Sequence, residues 1–131
     1  GSPRSPVLEY LMSNVAATQN LSFFDTAFCL VGHTHYPVMF VAPPEDEEGF
    51  CQVQAATPGA QLPLGSRRMI VNVGSVGQPR DGNPRACYVL LDLPARTLEY
   101  RRVDYPIETV QQKMRGAALP ARLYDRLSHG Y

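Results

Sequence analysis

Tryptophan is absent from the sequence and lysine occurs once, at Lys113, so eleven of the twelve cationic side chains are arginine. The planar guanidinium fork suits bidentate contact with phosphate or carboxylate, although usage alone locates no site. Net charge is absent as well, twelve Lys and Arg balancing twelve Asp and Glu. This excludes a global field that draws the chain to nucleic acid or to an anionic membrane surface, so any anion site must be local. Cysteine is sparse and odd in number: Cys29, Cys51 and Cys87 are far apart, and no CxxC occurs. That pattern argues against a secreted disulfide framework and for reduced, buried thiols in a cytoplasmic protein. Long apolar runs are missing too. Stretches such as Ala27 to Val31 and Tyr88 to Leu91 fall far short of the ~20 residues that cross a bilayer, and no signal-peptide pattern opens the chain, so neither a membrane span nor a secretory route is expected.

What is present is the composition of a globular domain. With 131 residues, 44% hydrophobic and 18% charged, the chain suits one compact domain or a part of one, outside the regime of intrinsic disorder. Val7, Leu8, Leu11, Met12 and Val15 recur at helical spacing after Pro3 and Pro6, which predicts an amphipathic helix over Val7 to Val15. Ala27 to Val31 is a short continuous apolar run ending at Gly32 and reads as a strand buried on both faces. Val38 to Val41 and Phe50 to Gln54 predict a hairpin around the exposed acidic turn Glu45-Asp46-Glu47-Glu48. Thr57 to Gly65 reads as a loop and Met69 to Val73 as a strand. Gly74 to Pro84 is irregular, and Ala86 to Leu93 pairs with Thr97 to Val103 through a turn at Pro94-Ala95-Arg96. Pro106 to Met114 and Ala121 to Leu127 read as helices, with Ile107, Val110 and Met114 in one stripe. The sum is an α/β mixture with many antiparallel strands and much irregular backbone.

The segment richest in chemistry is Gly32-His33-Thr34-His35, directly after an apolar strand. Two imidazoles one residue apart at a strand exit are able to share a metal site, neutral imidazole being a common ligand for Zn, Mn, Fe and Ni. A pair of partly exposed loop histidines fits the same pattern. Cys29 is either a third ligand of a Cys-His-His zinc site or a core thiol, the second being the simpler reading inside a buried strand. The run Glu45 to Glu48 lacks the alternating spacing of a calcium loop and is a solvated tip. His129, at the end of the last helix, suits the negative end of the macrodipole and carries no catalytic assignment.

Gly32-His33-Thr34-His35-Tyr36-Pro37 resembles the GHTHxP signature of calcineurin-like metallophosphoesterases. Asn72-Val73-Gly74-Ser75-Val76-Gly77-Gln78-Pro79-Arg80-Asp81-Gly82-Asn83-Pro84-Arg85-Ala86 resembles the NPGSVGQPRDGDPRA block of the small bacterial and archaeal members. Gly1-Ser2-Pro3-Arg4-Ser5-Pro6-Val7-Leu8-Glu9-Tyr10-Leu11 is similar to their HGSPRxPxxEYL, so Gly1-Ser2 fits the family as well as it fits a tag-cleavage scar. Two blocks at suitable spacing are far more specific than one HxH.

The resemblance implies that residues 1–131 are the C-terminal portion of one metallophosphoesterase domain whose N-terminal half is absent. The implied fold is a four-layer arrangement, two packed mixed sheets flanked by helices. The implied function is metal-dependent hydrolysis of a phosphomono- or phosphodiester by metal-activated water. His33 and His35 would be ligands to two divalent ions, whether Mn, Fe, Zn or Ni, and Arg4 and Arg80 would contact substrate phosphate. No catalytic residue is assigned in this sequence. The family's DxH, GDxxD and GNH[DE] blocks do not occur here, so the implied site is partial and weakly metal-binding until another segment or chain completes it. Two rival functions accompany this one: an inactive interaction scaffold, as in the retromer subunit of similar fold, and a split or truncated product that needs an N-terminal partner. Asn72, Gly74 and Ser75 would present backbone N–H groups or a hydroxyl near the metals, although turn formation explains them equally well; solvated loop arginines are the plain alternative for Arg4 and Arg80.

Overall fold

The computed structural model describes all 131 residues. In chain order it contains α1 (Asn14–Asn20), β1 (Phe28–Val31), β2 (Val38–Val41), β3 (Gln52–Ala55), β4 (Gln61–Pro63), β5 (Met69–Asn72), β6 (Ala86–Asp92), β7 (Thr97–Val103), α2 (Ile107–Gly116) and α3 (Ala121–Asp125). Single 3₁₀ turns at Leu21–Phe23 and Arg126–Ser128 extend α1 and α3. The strands form two sheets, one ordered β1-β5-β2-β3 and the other β4-β7-β6. No helix is long and apolar enough to cross a membrane.

The first sheet owes its position to β2 and β5, whose eight residues are all buried. Strand side chains alternate between faces, and the two faces enter different clusters. Met39, Val41, Met69 and Val71 pack with Leu64, Cys87, Leu98 and Tyr100, joining the first sheet to the second. Val38, Phe40 and Ile70 pack on the other side with Leu11, Ala17 and Cys51, which places α1 and the N-terminal segment over the outer face. The antiparallel register of β2 on β5, Met39 opposite Val71 and Phe40 opposite Ile70, keeps both sets in phase. Gln111 of α2 donates to the Tyr124 carbonyl and the Ser128 hydroxyl, each at 2.8 Å, tying the C-terminal helices together.

The β6–β7 hairpin and the exposed acidic tip match expectation. Four other expectations do not hold. The expected helix over Val7 to Val15 does not form: a turn at residues 6–8 and irregular chain precede α1, which takes in only the last two residues of that stretch, with only Leu11 buried and Val7 and Leu8 74% and 77% exposed. Glu9 accepts from the Ser2 hydroxyl, Arg4 and Asn20 Nδ2, which ties the segment to α1 as a turn, and the helix starts where Ser13 caps it, its hydroxyl accepting from the Ala16 N–H at 3.2 Å. β1 is not buried on both faces. It is the edge strand of its sheet, and Leu30 is 49% exposed because no element of this chain covers the face from which it projects. The return strand of the first hairpin lies at Gln52–Ala55, shifted from Phe50–Gln54 by pairing with β2.

The fourth departure is β4, inside the segment expected to be loop. Leu62 lies opposite Leu98 of β7, and Pro63 is tolerated there because β4 is an edge strand. Three residues give no periodic signal of their own; the pairing with β7 creates the strand.

Gly74 marks a tight approach between the sheets. Its φ is +81°, and a Cβ there would stand 2.8 Å from Cys87 Sγ and 3.3 Å from Pro37 Cβ. Left-handed strain and overpacking therefore act together in Gly74→Ala, with an expected loss of about 2–4 kcal/mol in a urea unfolding titration. An unchanged midpoint would contradict this packing.

Candidate metal site

β1 and β5 run parallel, Val31 opposite Asn72, so both chains leave the sheet at the same end. β2 lies on the far side of β5, and the Gly32 to Pro37 connection must therefore cross over the end of β5. This brings the histidine segment above the Asn72 to Ser75 turn. Ligands of layered α and β folds gather at such strand ends.

The crossing is made with an unusual backbone. His33 and His35 have φ of 76° and 61°, left-handed values that glycine normally supplies. Each costs ~1–2 kcal/mol in a residue bearing a Cβ. Non-glycine strain of this kind collects at functional sites, where a side chain is needed despite its cost. Between the two, Thr34 is buried, and its Oγ1 accepts from Asn72 Nδ2 at 2.7 Å and from the Tyr36 N–H at 3.3 Å.

The two imidazoles sit in different settings. His35 Nδ1 lies 2.8 Å from the Gln78 carbonyl, which only accepts, so Nδ1 carries the proton and Nε2 keeps its lone pair. Burial pushes the His35 pKa down, Arg80, His33 and Arg126 push the same way, and the Gln78 bond opposes them. The neutral form, the one that ligates, is thereby favoured. The His33 ring packs against Tyr10, centroids 4.2 Å apart at 45°.

Arg80 is held at the His35 loop, its main-chain N–H donating to the His35 carbonyl at 3.2 Å and Nη2 donating to Gln78 Oε1 at 2.8 Å. Arg4 is placed differently. Its guanidinium pairs with Glu9 and donates to Gln19 Oε1 at 3.2 Å, within the N-terminal turn. Glu9 is the hub of that turn: hydrogen bonds from the Ser2 hydroxyl, Asn20 Nδ2 and Arg4 hold its carboxyl down at about 2. The turn presents the neighbouring Tyr10 to His33.

Three features escaped the sequence. Asn72 spans the two loops with its carboxamide; its place at a strand end signalled a turn or main-chain donors near the metals, not this side-chain bridge. Tyr100, fully buried, donates to the Asn72 carbonyl at 2.8 Å and to the Val38 carbonyl at 3.4 Å, and burial pushes its phenol pKa up so that it stays a donor. Arg126 reaches His35 electrostatically from the C-terminal turn. No local pattern marks either of these last two.

No three His, Cys, Asp or Glu side chains converge anywhere on the chain, so Cys29 does not join the two histidines. All three cysteines are free thiols. Cys29 is half-buried and lines a cavity of about 320 Å³ with Gly1, Ser2 and Leu30, apart from the imidazoles. His129 stacks on Tyr131. His33 and His35 line none of the chain's cavities. By donor chemistry they fit a divalent ion as two members of a larger ligand set.

No protein-family model matches the chain. It is 32% identical over 130 residues to an uncharacterized protein of Methanocaldococcus jannaschii, covering 98% of this chain and 49% of that one. It also superimposes on the crystal structure of a metallophosphoesterase from Sphaerobacter thermophilus with a TM-score of 0.90 and 41% identity, over 100% of this chain and 53% of that one. The chain thus spans about half the length of the relatives it matches. Two sheets and three helices in the same arrangement, at that level of identity, decide the assignment: the chain carries the C-terminal half of the metallophosphoesterase superfamily fold.

Proposed function

We propose that the protein acts in metal-dependent hydrolysis of a phosphomono- or phosphodiester, with residues 1–131 supplying part of the site and an N-terminal portion of the same domain supplying the rest. His33 and His35 would be the metal ligands contributed here. Bound divalent ions in such a site supply electrophilic polarisation of the phosphoryl group and activation of water. His35 offers Nε2 because Gln78 holds the proton on Nδ1. Arg80, anchored beside His35, is the better placed of the two arginines to meet substrate phosphate; Arg4 would have to exchange its Glu9 pairing to do so. The observation that supports this reading is the pair of imidazoles brought together at the end of β1, with the His35 Nε2 lone pair left free by the Nδ1 contact to the Gln78 carbonyl.

The experiment compares the full-length protein with residues 1–131 in an assay of a generic phosphodiester with added Mn²⁺. Metal-dependent turnover is expected from the former and none above buffer from the latter, since no carboxylate among these residues joins the histidines to bridge two ions. Robust turnover by residues 1–131 would overturn the division of the site. An inert full-length protein that pulls down a defined partner would favour an interaction scaffold instead.

A further inference from the structure

We infer that Thr34 and Asn72 are the positioning residues of this site, a buried side-chain staple that holds His33 and His35 in their left-handed arrangement. The inference rests on the two histidines being metal ligands. The crossing loop touches β5 at its apex, where Thr34 is 4% exposed and Asn72 is fully buried. Every polar atom of the Asn72 carboxamide is used. Nδ2 donates to Thr34 Oγ1 at 2.7 Å and to the Gly32 carbonyl at 3.3 Å, and Oδ1 accepts from the Gly74 N–H at 3.0 Å. The Gly74 donor fixes which end of the amide is oxygen, so the direction of the Thr34 bond follows from the network.

One carboxamide thus grips the histidine loop on one side and the Gly74 turn on the other, while Tyr100 holds the Asn72 main chain from below. Thr34 lies between the two strained residues, and pinning its side chain and the Gly32 carbonyl restricts rotation at His33. Downstream, the Gly74 turn leads to Gln78, whose N–H donates to Ser75 Oγ at 2.9 Å and whose carbonyl sets the His35 tautomer. Removing the staple frees both loops at once. Groups that orient a ligand without touching the metal typically change affinity by about 10–100-fold when lost.

The test uses the full-length protein and Mn²⁺ alone, with affinity read by isothermal titration calorimetry. Thr34→Val keeps the shape and removes the hydroxyl; it is expected to weaken Mn²⁺ binding by about 10–100-fold. Thr34→Ser restores the oxygen and is expected to recover binding to within about threefold of the parent. Nitrogen-15 spectra of the metal-free protein supply a second readout, with the single protonated-Nδ1 signature of His35 expected in the parent and Thr34→Ser and a tautomer mixture in Thr34→Val. Leu98→Val separates positioning from stability, because it trims a buried core side chain of β7 that makes no polar contact with the histidine loop or the Gly74 turn. It should lower the unfolding midpoint and leave Mn²⁺ affinity unchanged. Should Thr34→Val fail to fold, Thr34→Ala makes the same deletion with less bulk. Unchanged affinity in the Thr34 variant, with binding lost in His33→Ala and His35→Ala, overturns the staple alone. Unchanged affinity in the two histidine variants overturns the metal reading and the staple with it.

Discussion

His33→Ala and His35→Ala, each introduced into the full-length protein, are expected to depress phosphodiester hydrolysis by roughly a hundredfold to a thousandfold. A divalent ion contributes several kcal/mol of charge stabilisation in the transition state, and each 1.36 kcal/mol is tenfold in rate. Losing one imidazole weakens the hold on an ion that no other side chain of this chain replaces, since no carboxylate or thiol stands with the pair. The two variants are expected to differ in their structural effects. His35→Ala also deletes the bond to the Gln78 carbonyl and loosens the turn beneath it, whereas His33→Ala removes a ring packed on Tyr10 and leaves that turn intact. Added Mn²⁺ should partly restore either variant if only affinity is impaired. A fully active protein carrying both substitutions would refute the assignment of the two histidines.

The largest loss of stability is expected from Asp81→Ala. Asp81 pairs with Arg102, whose side chain is only 4% exposed. The guanidinium also donates to the Arg85 carbonyl at 3.0 Å and the Asn83 carbonyl at 3.4 Å, which pins the irregular segment to β7. Removing the carboxylate leaves a buried charge without its counterion, a change that costs about 3–5 kcal/mol. Replacing both members, as Asp81→Ala/Arg102→Met, should be milder than the single variant because no uncompensated charge remains. Urea denaturation of the three proteins measures this directly, and a single variant within 1 kcal/mol of the parent would show the pair to be dispensable. The consequence extends to the site. Asp81 follows Arg80, which is bonded to the His35 carbonyl, and Gly82 donates to the Gly130 carbonyl at 2.9 Å, so slack in this segment is passed to both.

The parts of the molecule that local pattern foretold are those whose signal is complete within a few residues. The β6–β7 hairpin has alternation and a Pro-containing turn, and β2 and β5 are short apolar runs that the core encloses on both faces. The Gly-His-Thr-His segment and the Asn72 to Ala86 block stood out for the same reason. The N-terminal stretch misled because Val7, Leu8, Leu11, Met12 and Val15 have helical spacing, while the hydrogen bonds of Glu9 to Ser2, Arg4 and the distant Asn20, together with the Ser13 cap, decide against a helix there. β4 was invisible because its three residues become a strand only by pairing with β7. Leu30 is half-exposed in a run that reads as buried, since spacing reports an apolar strand but not whether each of its faces is covered.

At the site the same division holds. Local pattern was enough to show which residue types stand at the end of β1, two histidines flanking a threonine, and, through two matched blocks, the family whose fold the chain carries. Tertiary structure decided the rest: that β5 runs parallel beside β1 and brings Asn72 beneath Thr34, that Gln78 sets the His35 proton on Nδ1, and that Arg80 joins the histidine loop while Arg4 is tied to Glu9. Hydrogen bonds across 38 and 43 residues of chain leave no trace in local periodicity, because they depend on where strand order and register carry distant segments, and that placement follows from burying the apolar faces of β2 and β5.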